Sequence, residues 1–103
     1  MAADYVIYGT EGSPFVRKVL VTLQEKQLPW ILEEVNVFDP PEWFLAMSPA
    51  RRIPVLRDRS LVGDDANLTI ADSSAICGYI ERKVPNPALY PSRAIDYGRA
   101  LWF

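Results

Sequence analysis

The sequence predicts one small α/β domain, built in the order βαβ-α-ββα on a mixed four-stranded sheet. Three observations carry this. A strand, a helix and a second strand follow one another at the start of the chain, which implies a right-handed crossover and a parallel pair. Two later short strands, separated by a polar loop, read as a hairpin. Half of the 103 residues are hydrophobic, enough for a real but modest core, so a partner surface is plausible.

The first strand is Tyr5-Val6-Ile7-Tyr8, a short run of β-formers stopped by Gly9. After the loop Thr10-Glu11-Gly12, Ser13-Pro14 starts a helix with a hydroxyl cap and a proline in its first turn. Val16, Val19, Leu20 and Leu23 form its apolar stripe, while Arg17, Lys18, Gln24 and Lys26 supply polar faces, and Pro29 marks its end. Trp30 through Val35 and Val37 give the second strand, Asp39-Pro40-Pro41 a turn, and Glu42 to Met47 a short helix. Ile53-Pro54-Val55-Leu56 is the third strand, since proline is tolerated at a strand's start. Asp58 to Asn67 is a polar loop, and Leu68-Thr69-Ile70 pairs back as the fourth strand. Ala71-Asp72-Ser73-Ser74 opens a helix whose buried stripe is Ile76, Tyr79 and Ile80, ended by Pro85 and Pro87. Residues from Asn86 read as a linker, and Ala94 to Phe103 as a helix-like segment ending on Leu101, Trp102 and Phe103. A free domain seldom exposes such a tail, so it reads as the start of a further helix rather than a strand of chain folded onto its own core.

The balance of 11 Lys plus Arg against 13 Asp plus Glu, net −2, points to neither nucleic acid nor an acidic membrane. One cysteine, Cys77, rules out an internal disulfide framework and fits a reducing, cytoplasmic setting. Without histidine, zinc and histidine-based catalysis are excluded, and no metal is expected. The N-terminus is too short and polar for a signal peptide, and no apolar run is long enough for a membrane span.

Ser13 carries two readings. As a cap it accepts a bond from a backbone N–H. The same position joins a helix dipole, free N–H groups and a hydroxyl donor at the sheet's carboxyl edge, where a thiolate would be stabilised. Pro54 is either a trans edge residue or a cis proline that exposes the Ile53 backbone to an extended ligand, and local sequence leaves both open. Asp72-Ser73 is either a plain N-cap or a second anion site. Arg51, Arg52, Arg57 and Arg59 form a basic group of solvated loop arginines, of which Arg51 or Arg52 suits a carboxylate. Cys77 reads as core. Tyr8 is a core residue with a phenol donor in reserve, and Trp30, Trp43 and Trp102 are packing residues.

Three stretches together resemble the N-terminal, thioredoxin-like domain of the cytosolic glutathione S-transferase superfamily. They are Ser13-Pro14-Phe15-Val16-Arg17-Lys18-Val19, Ser48-Pro49-Ala50-Arg51-Arg52-Ile53-Pro54-Val55-Leu56, and Ala71-Asp72-Ser73-Ser74-Ala75-Ile76. The likeness runs from Tyr5 to Val84, and Leu89-Tyr90-Pro91 onward looks like that family's linker and the first helix of its second domain. It implies a glutathione-binding domain at 1–84 and, at 85–103, a linker and the start of a helical domain. It implies roles by position. Ser13 donates a hydrogen bond to the sulfur of glutathione, as in the serine-type classes. Ile53, before a cis Pro54, pairs its backbone with the cysteinyl part. Asp72 and Ser73 hold the γ-glutamyl end, Arg52 meets the glycyl carboxylate, and Phe15 joins the glutathione-binding set. Partners would be glutathione, a small electrophile and a second copy in the full-length protein.

The sequence departs from the family pattern in places. Ser48 stands where asparagine is frequent, which should loosen a loop contact, and Arg51 stands where glycine is frequent, which bears on the turn. The loop 58–67 is longer than usual. Related redox classes have cysteine at the place of Ser13, so disulfide exchange is disfavoured here. Three functions follow from the resemblance: a transferase that stabilises the glutathione thiolate, a non-catalytic interaction or regulatory module, and a glutathione-dependent isomerase. The isomerases favour a serine-cysteine signature that Ser13-Pro14 lacks.

Overall fold

The computed structural model describes residues 3–102; Met1, Ala2 and the expected apolar end residue Phe103 lie outside the described residues. Strand β1 (Tyr5–Gly9) leads into helix α1 (Pro14–Glu25) and strand β2 (Trp30–Glu34). Helix α2 (Glu42–Met47), strand β3 (Val55–Asp58), a 3₁₀ turn at Gly63–Asp65 and strand β4 (Thr69–Ala71) follow. Helices α3 (Ser73–Lys83) and α4 (Ala94–Trp102) complete the order. The sheet runs β2-β1-β3-β4, with β1 parallel to β2 and antiparallel to β3, and β3 antiparallel to β4. This is the mixed four-stranded, thioredoxin-like arrangement that the sequence predicts.

The register sorts the side chains. Leu32, Ile7, Leu56 and Ile70 form one cross-strand row. They pack under α1 and α3 with Val16, Val19, Leu23, Ile76 and Ile80, all of which are buried. Cys77 is buried in that core, its Sγ 3.3 Å from Thr22 Oγ1. On the other face Tyr8 and Val55 pack with Val35, Phe44, Met47 and Ile53, so α2 covers only the end of the sheet near the β1 C-terminus. Trp43 reaches over Tyr8, ring centroids 5.5 Å apart.

Several boundaries and assignments differ from the sequence expectation. Strand β3 starts at Val55, because Ile53 and Pro54 precede the ladder that Val55 opens with Tyr8 and Ala71. It ends on Asp58, which is no loop residue: its side chain is 2% exposed and accepts bonds from Ser60 Oγ and Tyr79 Oη, both at 2.6 Å, and from Lys83. Strand β2 stops at Glu34, although the Val35 amide still donates to Gly9 O at 3.0 Å. Lys26 belongs to no solvated face. Its ammonium is wholly buried and reaches Glu81 Oε1 at 2.8 Å, and Val84 O and Pro87 O at 2.6 Å each. The Glu81 carboxylate in turn accepts from the amides of Leu89 and Tyr90, which ties the expected linker to α1 and α3. The basic group of arginines disperses: Arg57 turns to Met47 Sδ at 3.7 Å and Arg59 to Ala3 O, leaving Arg51 and Arg52 in the loop. Helix α4 buries none of its residues, and Trp102, read as a packing residue, is 83% exposed.

Candidate functional site

The β1 C-terminus positions the site. The chain leaves the sheet at Gly9, where a Cβ would stand 2.6 Å from Val16 Cγ2 and 3.5 Å from Ile53 Cβ. Only a glycine lets the first turn of α1 and Ile53 close over the strand end. The loop folds back through the Ser13 amide donating to Thr10 O at 3.1 Å. Ser13 is then extended (φ −79°, ψ 126°) and its Oγ accepts from the Val16 amide at 3.3 Å, which caps α1. That bond uses a lone pair and not the hydroxyl proton.

A cleft of about 500 Å³ opens between the first turns of α1 and α3 and the loop before β3. Phe15, Arg52, Ile53, Asp72 and Ser73 all line it. The structure thus gathers five of the seven predicted residues. Ser13 stands outside this lining, at the cap two residues before Phe15, and Pro54 is buried behind Ile53. The Ile53–Pro54 peptide is cis.

The loop before β3 is held by a residue expected to loosen it. Ser48 is buried, and its Oγ donates to Arg52 O at 2.9 Å while accepting from the Arg52 amide at 3.0 Å. A short hydroxyl reaches both groups because the turn is tight: the Arg51 amide donates to Ser48 O at 2.9 Å, and Arg51 takes φ 59°. Arg51 adopts the left-handed conformation that glycine would take more cheaply, at a cost of about 1 kcal/mol.

Asp72 also has positive φ (78°, with ψ 121°), an arrangement that costs a non-glycine residue about 1–3 kcal/mol. The strain aims the residue: Oδ2 accepts from the Ala75 amide at 3.0 Å and caps α3, while the residue itself lines the cleft. Ser73 beside it is buried. The first turn of α3 therefore presents a hydroxyl, a carboxylate and the positive end of a helix dipole to one space.

Lys18 and Ser74 are among the lining residues that the sequence did not single out as site residues. Lys18 donates from Nζ to Ser74 Oγ at 2.9 Å, joining α1 to α3. The available signal was spacing, since Lys18 lies three residues after Phe15 and so shares its helix face. The strongly shifted titrations lie at the opposite end of β3. Burial would raise the Asp58 pKa, but hydrogen bonds from Lys83, Ser60 and Tyr79 outweigh it and bring it to about 2. Burial, and then the bond to Asp58, push the Tyr79 phenol up to about 12. A smaller cavity of about 250 Å³ adjoins these two groups, whose polar atoms satisfy one another. Among the described residues no three carboxylates or thiols converge as a metal site requires, and no helix is long and apolar enough to cross a membrane.

The family model for the glutathione S-transferase N-terminal domain matches residues 7–88. The chain is 43% identical over 76 residues to glutathione S-transferase DHAR2 of Arabidopsis thaliana, covering 74% of this chain and 32% of that protein. The chain spans about a third of the length of the curated relatives it matches. Among solved structures, a glutathione S-transferase from Rhodospirillum rubrum F11 is 34% identical, with a TM-score of 0.84 over 95% of this chain and 42% of that one. A glutathione transferase homolog from Drosophila mojavensis, solved with bound glutathione, is 31% identical, with a TM-score of 0.77 over 94% of this chain and 43% of that one.

Proposed function

The chain belongs to the glutathione S-transferase family through its N-terminal domain, and from that premise we propose that it binds glutathione in the cleft between α1, α3 and the loop before β3. The observation that carries this reading is the convergence of Phe15, Arg52, Ile53, Asp72 and Ser73 on one space beside the Ser13 cap. The γ-glutamyl end lies at Asp72 and Ser73, the cysteinyl part along the Ile53 backbone, and the glycyl carboxylate near Arg52. Ser13 donates its hydroxyl proton to the sulfur and stabilises the thiolate, which attacks a small electrophile. Stabilising the ionised nucleophile and holding it in place is the catalytic contribution of this domain. Residues 85–103 begin the helical domain that faces the cleft in the complete protein, a cytoplasmic homodimer.

Ser13 has the hydroxyl such a role needs and no thiol with which to form a mixed disulfide. This favours conjugation over disulfide exchange. Calorimetric titration with glutathione tests the reading. Saturable binding that Asp72→Ala weakens is expected. A chain that releases no heat and gains no thermal stability at millimolar glutathione would instead be a non-catalytic interaction module.

A further inference from the structure

Resting on the reading that this cleft takes glutathione, we propose that Lys18 is a specificity-determining binding residue, whose ammonium meets the α-carboxylate of the γ-glutamyl end. Lys18, Arg52 and Asp72 are the charged side chains lining the cleft, two cations and one anion. Glutathione at neutral pH carries two carboxylates and one ammonium, the same number of charges with every sign reversed. Arg52, beside Ile53, faces the glycyl end, and Asp72 takes the ammonium. The second carboxylate falls beside the Ser73 hydroxyl at the start of α3, where Lys18 supplies the cation. Its Nζ is held 2.9 Å from Ser74 Oγ, in the turn of α3 that also carries Ser73. Without Lys18 the cleft charges would cancel, and a ligand bearing net negative charge would gain nothing from the field of the site.

The test is titration of the chain with S-methylglutathione, whose sulfur cannot ionise, so Ser13 and the thiolate drop out. Lys18→Met should weaken binding roughly five- to tenfold, the range for a charged contact at a solvated edge. Lys18→Arg should restore most of it. Cysteinylglycine, which lacks the γ-glutamyl group, supplies the readout that a purely structural lysine would not move. It should bind the parent and Lys18→Met equally, because the carboxylate that Lys18 recognises is gone. Added salt should weaken S-methylglutathione binding more in the parent than in Lys18→Met. If the parent binds and Lys18→Met binds as tightly, the role of Lys18 is refuted while the glutathione reading stands. If the parent binds neither glutathione nor S-methylglutathione, both fall together.

Discussion

Replacing Lys26 with methionine removes the ammonium that fastens residues 84–90 to the end of α1, and keeps most of the stem that packs there. The side chain is fully buried, and its three N–H groups have three acceptors: Glu81 Oε1, Val84 O and Pro87 O. Two carbonyls lose their donor, each worth about 1 kcal/mol. Glu81 loses its counter-charge, but its side chain is 20% exposed and still accepts from Leu89 and Tyr90, so the loss stays below the 3–5 kcal/mol expected of a wholly buried pair. The sum is about 3 kcal/mol, which for a domain near 100 residues lowers Tm by roughly 12–24 °C. Thermal unfolding followed by circular dichroism reads the first number. Hydrogen exchange at the Leu89 and Tyr90 amides reads the local release, which should exceed that of the sheet. Glu81→Gln strands the buried ammonium instead, and Lys26→Met with Glu81→Gln should cost less than the two single changes added together. A Lys26→Met chain with parental Tm and parental exchange at Leu89 and Tyr90 would refute the reasoning.

Two further outcomes follow from the fold. The folded pKa of Asp58, about 2, lies below its ordinary 3.8, so its stabilisation is complete above pH 4 and disappears as pH falls through 2. A displacement of that size is worth about 2 kcal/mol. Denaturant titrations across that range should show a steeper loss in the parent than in Asp58→Asn, which starts from lower stability and keeps only the smaller dependence of other carboxylates such as Glu81. Gly9→Ala places a methyl group against Val16 and should cost about 1–3 kcal/mol by denaturant unfolding. By shifting the first turn of α1 away from Ile53 it should also weaken glutathione binding, and a variant with parental stability and affinity would contradict the close approach at Gly9.

The fold was legible where local chemistry is strong. Ser13-Pro14 marks the start of α1, Asp72 caps α3, and the stripe Val16, Val19 and Leu23 is the buried one. Two of the residues that sequence misplaced, Lys26 and Asp58, have partners that lie far along the chain. Lys26 sits three residues after Leu23 and seven after Val19, on the apolar stripe, but the carbonyl that makes burial tolerable lies 58 residues later. Asp58 looks like the start of a polar loop because Tyr79 and Lys83, which pin it, belong to α3. Ser48 looks like a weak substitute for a longer side chain until the tight turn at Arg51 brings both polar groups of Arg52 within reach of one hydroxyl. The cleft was readable as three short motifs. The place of Lys18 in it was not, since a lysine on a helix is usually solvated and only the distance to Ser74 joins it to α3.

The most direct test of the account is the pKa of the glutathione thiol when bound, followed by thiolate absorbance against pH in the parent and in Ser13→Ala. Ser13→Ala also removes the cap of α1, at about 1 kcal/mol, so both chains are measured where they remain folded. The thiol pKa in the parent complex should lie below the roughly 8.5 of a free thiol and rise by about one unit in Ser13→Ala as the hydrogen bond to sulfur is lost. Glutathione bound by both chains with the same thiol pKa would contradict it.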